Sequence, residues 1–263
     1  MKKIEIKYCP LKWLKWERNV TGHYPESWKE LNPRQLIAIA STYKGRISNC
    51  RFLYIMTGIK TRIIKKLDEY QQYKLFELMN FINDFKPYNS FIINKISVGN
   101  RKFYAPGPRL KGMPLGQFIF ADSFFWNYQQ TGNPKEMTSF LASLFLPKDQ
   151  KFSEDLIEKN SRIMEEVDTV TREAVFINYL LIYEWLTDIY PLLFPQKDAD
   201  QEPKEEKHNE NAQRDSRAWI KVFENLVGDD IVNQDKYARL PVHNVFRYIT
   251  EKIKENLRNK KKR

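Results

Sequence analysis

Histidine, cysteine and glycine are scarce in this chain of 263 residues, which holds three, two and nine of them respectively. The cysteines, Cys9 and Cys50, stand in no C-x-x-C, haem-attachment or zinc-finger spacing, so they read as reduced intracellular thiols rather than redox or metal ligands. His23, His208 and His243 are not spaced to share a helix face, and no H-E-x-x-H or EF-hand loop occurs. Their spacing pairs none of them with a nucleophilic Ser, Thr or Cys. The glycines fall singly, with neither G-x-G-x-x-G nor a P-loop, which removes the usual backbone cradles for phosphate. Gly228-Asp229-Asp230 reads as a turn after a helix. The acid pairs Asp68-Glu69 and Glu165-Glu166 are adjacent, so their carboxylates point to different sides of a helix. The sequence therefore predicts no catalytic, cofactor-binding or metal-binding residue and favours a non-enzymatic protein. An enzyme whose site gathers scattered acids about His23 or His243 stays open. Residues 1–10 alternate charged and apolar side chains without a long apolar core, so no secretory leader is expected.

What is present is a large stock of core-forming residues, 42% hydrophobic and 14% aromatic, enough for one large domain or two small ones. The formal net charge is +11, which puts nucleic acid among the candidate partners. Much of the excess is terminal. Residues 251–263 hold seven Lys or Arg against two Glu, and residues 1–18 hold six against two. The C-terminal set, Lys252, Lys254, Arg258, Lys260, Lys261, Lys262 and Arg263, reads either as a solvated tail or as an arm that binds nucleic acid.

Hydrophobic periodicity predicts a mainly α fold, a multi-helix bundle with a short N-terminal strand and one small β-hairpin. Residues 3–8 alternate as a strand with one buried face. Trp13, Trp16, Tyr24 and Trp28, broken by Gly22 and Pro25, keep neither period and read as an aromatic-anchored loop. Asn32-Pro33 opens a helix by capping, a second helix runs over 47–57 to Gly58, and apolar residues from Leu67 to Phe85 predict a third. The hairpin falls near 91–104, with Gly99-Asn100 supplying positive φ at its turn. Residues 105–116, rich in Pro and Gly, read as an exposed connector or recognition loop. Two helices follow, 115–130 and 134–145, the first carrying Leu115, Phe118, Ala121, Phe125 and Tyr128 on one stripe with Asp122 beside it. That spacing favours core packing over base stacking by its phenylalanines. The apolar stretch 174–194 is interrupted by Asn178, Glu184, Asp188 and Pro191, so it predicts a buried helix rather than a membrane span. Residues 1–195 are thus expected to form the main helical domain. Residues 196–217, almost wholly polar, read as a disordered linker. Residues 218–258 read as a C-terminal helical pair and 259–263 as a basic tail.

Three segments resemble a family of proteins encoded among the tail-morphogenesis genes of bacterial viruses and prophages. They are Tyr24-Pro25-Glu26-Ser27-Trp28-Lys29-Glu30-Leu31-Asn32-Pro33-Arg34-Gln35-Leu36; Phe103-Tyr104-Ala105-Pro106 with Leu115-Gly116-Gln117-Phe118-Ile119-Phe120-Ala121-Asp122 and residues 141–147; and Trp219-Ile220-Lys221-Val222-Phe223 through Gly228 with the closing amphipathic helix. Where the family's middle block carries an acid before the first Phe, this chain has Gln117. The resemblance implies a tail assembly chaperone or related virion component of the bacterial cytoplasm, with no catalytic residues to transfer. Its partners would be tail or other virion proteins, among them the tape-measure protein, laid into apolar grooves as helices. On this reading the apolar faces of the last two helices carry the contact, through Trp219, Phe223, Leu226, Val245, Phe246 and Ile249.

Overall fold

The computed structural model describes residues 1–10, 16–194 and 218–261. The linker expected over 196–217, together with Trp13, His208, Lys262 and Arg263, lies outside the described residues. Within them the chain is mainly α. In chain order the elements are strands β1 (Lys2–Tyr8) and β2 (Arg18–Tyr24), helices α1 (Pro33–Tyr43), α2 (Asn49–Thr57), α3 (Thr61–Ile64) and α4 (Glu69–Glu77), and strands β3 (Lys95–Val98) and β4 (Arg101–Tyr104). Helices α5 (Leu115–Thr131) and α6 (Pro134–Leu144), strand β5 (Leu146–Pro147), and helices α7 (Asp155–Met164), α8 (Thr169–Ile189), α9 (Ala218–Val227), α10 (Gln234–Ala238) and α11 (Val242–Lys261) complete it. No helix among the described residues is long and apolar enough to cross a membrane.

Contacts divide the chain into two units, Met1–Tyr88 with Thr169–Glu184, and Asn89–Asp168 with Trp185–Arg263. Composition had suggested other boundaries, at 195 and 218. The difference arises because α8 contributes to both units and because the last helices join the second one rather than standing apart.

In the first unit the N-terminal strand has a partner that periodicity does not reveal. β1 and β2 pair antiparallel from Lys2↔Tyr24 to Tyr8↔Arg18, where an aromatic loop was expected. β2 carries few apolar residues; Tyr24 is buried at its end, and the buried position within it is Gly22. A Cβ there would stand 2.7 Å from the Thr57 carbonyl oxygen and 2.8 Å from Ile59 Cγ1, so the strand packs by backbone and gives no hydrophobic alternation. Asn32 caps α1 as expected: its side chain accepts from Gln35 N–H and its own N–H donates to Gln35 Oε1, each at 3.0 Å. Trp28 is buried, donates Nε1–H to the Asp84 carbonyl at 2.8 Å and stacks on Phe85 with ring centres 5.5 Å apart. The single helix expected from Leu67 to Phe85 is instead α4 and a separate 3-10 turn at Asn80–Asn83. Asp68 makes a capping box with Gln71 that fixes where α4 begins.

In the second unit β3, β4 and β5 form one antiparallel sheet in that order. The expected hairpin is present, shorter than 91–104, and its turn places Gly99 at φ 53° while Asn100 keeps an ordinary φ. Leu115, Phe118, Ala121, Asp122 and Phe125 form the buried stripe of α5, which packs on α6. The connector 105–116 is not simply exposed. Leu110 and Met113 in it are buried, Met113 C=O accepts from Val242 N–H at 3.2 Å, and Leu115 N–H donates to Leu240 C=O at 2.9 Å. The connector is a seam to which the C-terminal segment is sewn.

Candidate functional site

The sequence nominated the last two helices as a partner-binding face, and the structure splits that set in two. Trp219, Val245 and Phe246 are buried at 7%, 3% and 0% exposure, so they are core. Phe246 lies 5.1 Å from Phe118, 5.3 Å from Phe194, 5.1 Å from Trp219 and 5.3 Å from Tyr190, ring centre to ring centre. Burying such an aromatic cluster clamps α9 and α11 onto α5 and removes these three residues as partner contacts, correcting the expectation. An isolated amphipathic pattern cannot say which covering polypeptide it awaits, and here for Trp219, Val245 and Phe246 it is the chain itself.

Phe223, Leu226 and Ile249 are only half-buried. The stripe begun by Val242, Val245 and Phe246 continues along α11 through Ile249 and Ile253 to Leu257, at helical spacing. Burial falls along it: the first three are buried, Ile249 and Ile253 are half-buried, and Leu257 is 47% exposed. Tyr248 beside it is 54% exposed. The sequence signal for Ile253 and Leu257 is present in the same period, diluted there by the surrounding Lys and Glu residues.

The basic residues of α11 do not make an uninterrupted cationic arm. Lys252 pairs with Glu255 at 3.2 Å and Lys254 with Glu251 at 2.7 Å. The hydrogen bonds to these carboxylates are the main cause holding Lys252 above, and Glu251 below, their ordinary pKa. Arg258 and Lys260 are exposed, and the side chain of Lys261 lies outside what is described.

His243 sits at the root of α11. Its Nε2 is 2.6 Å from the carbonyl oxygen of Arg109 and its Nδ1 is 2.9 Å from the Tyr190 hydroxyl. A carbonyl can only accept, so Nε2 carries a proton; in the neutral ring, which burial favours, Nδ1 accepts from Tyr190. Burial pushes the imidazole pKa down, the Arg109 carbonyl opposes this, and the Arg247 and Arg109 charges reinforce it. Neither partner is a carboxylate, so the ring is not oriented as in a nucleophile-activating triad. Its bonds tie the start of α11 to Arg109 of the connector and to Tyr190, just past the end of α8. His23 is exposed on β2, and among the described residues no group of three or more His, Cys, Asp or Glu is placed to hold a metal ion. Asp230, from the acid pair at 229–230, is engaged in its own turn, accepting from Asn233 at 2.7 Å and Tyr237 at 3.2 Å.

The first unit carries an apolar groove of about 360 Å³, lined by Ala40, Tyr43, Phe85, Phe176, Ile177 and Leu180, with the Lys44–Glu173 ion pair at 3.2 Å among its walls. Tyr43 is half exposed there, and burial raises its phenol pKa.

Neither family models, curated proteins nor solved structures give a match to this chain.

Proposed function

We propose that this chain is a non-enzymatic assembly protein of a bacterial virus or prophage, of the tail assembly chaperone kind, working inside the host cell by holding helical segments of other virion proteins. The observation that carries the reading is the apolar stripe of α11, which runs out of the core at Ile249 and continues through Ile253 to Leu257 with falling burial. A stripe with one end anchored and the other open suits a partner helix, whose own side chains at i, i+3, i+4 and i+7 would extend the packing that Phe246 begins. The resemblance of three segments to tail-morphogenesis proteins supplies the virion context. Affinity capture on the tagged full chain, from bacteria expressing the complete set of tail genes, tests the reading. Recovery of an identified tail or virion protein, the tape-measure protein foremost, is the expected result; capture of none contradicts it.

The basic C-terminus supports a second reading, a nucleic-acid-binding accessory protein. The ion pairs of Lys252 and Lys254 weaken it, since each neutralises a charge that phosphate would need. A salt-sensitive affinity for DNA that vanishes on deleting residues 251–263 would favour it.

A further inference from the structure

From residue 89 to residue 121 the chain contains five Lys or Arg and no Asp or Glu, and this bias falls on the small sheet. Side chains alternate across a strand, so Lys95 and Ser97 share one face of β3, opposite Tyr104 and Lys102 of β4 in the pairing Lys95↔Tyr104 and Ser97↔Lys102. All four are exposed, while Ile96, Val98 and Phe103 fill the other face. The outward face therefore sets a tyrosine between two lysines on a rigid backbone. Tyr104 is 36% exposed.

Two hollows meet at this tyrosine. One, of about 310 Å³, is lined by Ser90, Asn94, Lys95 and Tyr104 with the Ala105 to Pro108 turn. The other, of about 270 Å³, shares Tyr104 and that turn and is completed by Lys111, Gln117 and Lys148, with one acid, Asp149, in its wall. The ridge between them is held firmly. Gly107 and Lys111 exchange backbone hydrogen bonds of 3.1 Å in both directions. Arg109 and Leu110 take φ of 57° and 52°, a left-handed conformation that side chains rarely adopt and that tends to mark sites of function. That turn sinks Leu110 into the core and leaves Arg109 at the surface. Lys95, Arg101, Lys102, Lys111 and Lys148 form no ion pair among the described residues, whereas Lys2, Lys3, Lys44 and Lys74 each have a carboxylate partner.

We propose that the outward face of the β3–β4–β5 sheet, with the hollows on either side of the Tyr104–Gly107 ridge, binds single-stranded nucleic acid. Tyr104 stacks on a base, Lys95 and Lys102 meet the phosphates beside it, and Lys111 and Lys148 follow the strand into the second hollow. An unpaired cationic face with an exposed ring is the combination that single strands require, because their bases are free to stack and their backbone is charged at every residue. A duplex hides its base faces, and the two-residue β5 gives too narrow a platform to follow a groove. An acidic peptide would satisfy the lysines but has no planar base to stack on the exposed ring. This face uses no side chain of α11 or of its basic end.

Fluorescence anisotropy of the full chain with a labelled 15-residue oligothymidylate, titrated at several salt concentrations, tests the proposal. Four lysine–phosphate contacts predict a log–log salt slope of about −3 for a single strand. Tyr104→Ala should weaken binding about tenfold, and Lys95→Glu with Lys111→Glu should weaken it more and flatten the slope. Both variants change exposed side chains, and their melting temperatures report whether the fold is kept. Removing residues 259–263 should leave most of the affinity. Should Tyr104→Ala fail to fold, the charge-reversal variant decides alone. No binding at low salt, equal or tighter binding of the matching duplex or of polyglutamate, or binding that survives both variants and is lost with residues 259–263, overturns it.

Discussion

Tyr190 and His243 meet across 53 positions of sequence, with the phenol oxygen 2.9 Å from Nδ1 and the two rings nearly parallel, their centres 5.7 Å apart. Burial favours the neutral imidazole, in which Nδ1 accepts from the hydroxyl while Nε2–H serves the Arg109 carbonyl.

The preference for the neutral ring has a pH signature. Burial holds the folded-state pKa of His243 below the ordinary histidine value of 6.5, so over the interval beneath that value the unfolded chain binds more protons than the folded one. Stability contributed here is present in full above about pH 6.5 and is lost as pH falls through the folded-state value. Thermal melts between neutral and mildly acid pH should show this decline in the wild type. His243→Phe should lack that component while costing about 1–2 kcal/mol at neutral pH through the lost hydrogen bonds. An unchanged pH profile in the variant would assign the decline to other groups.

Gln117 is 3% exposed and donates Nε2–H to the carbonyls of Ser143 at 2.9 Å and Leu144 at 3.3 Å, closing the end of α6 onto α5. An ionised acid at this position has no proton to donate and would face two carbonyl oxygens, which is a physical reason for the amide where the resembling family carries an acid. Gln117→Glu should destabilise the fold by at least about 2 kcal/mol at neutral pH. The buried carboxyl would take a raised pKa, so its gap in melting temperature from the wild type should widen as pH rises from about 4. A gap that is constant with pH would mean the side chain swings out to solvent.

Gly22 tests the strand that periodicity missed. With Thr57 C=O 2.7 Å and Ile59 Cγ1 2.8 Å from the position of an added Cβ, Gly22→Ala should cost about 1–3 kcal/mol by forcing β2 off the end of α2. Amide exchange should then quicken in β1 and β2 before it does in the second unit. A neutral substitution would place β2 farther from α2 than described.

What the sequence made legible was whatever rests on local chemistry. The Asn32-Pro33 helix start, the Gly99 turn and the buried stripe of α5 all declare themselves within a few residues, because capping, φ sign and 3.6-residue spacing are local. β2 was hidden because the buried position between Val20 and Tyr24 is a glycine packed by backbone, which interrupts the apolar alternation. The break after α4 was hidden because apolar residues continue through Phe81 and Ile82 with nothing in their period to mark it. For the candidate site, periodicity found the face of α9 and α11 but could not tell which of its residues the chain covers itself. That depends on Phe118, Tyr190 and Phe194, which are remote in sequence. The lysine and tyrosine face of β3 and β4 was likewise invisible until cross-strand register put Lys95 beside Tyr104.

The most direct test of the partner-binding account compares co-purification of tail proteins by the wild type and by a variant carrying Ile253→Glu and Leu257→Glu, with Phe246→Ala as the folding control. Both sites of the double variant lie on the open part of α11, so its melting temperature should stay near that of the wild type. Phe246→Ala should lose about 3–5 kcal/mol from the core. The account predicts that the wild type retains an identified tail protein and that the stably folded double variant releases it. Equal retention by both, or no tail protein on either, would contradict it.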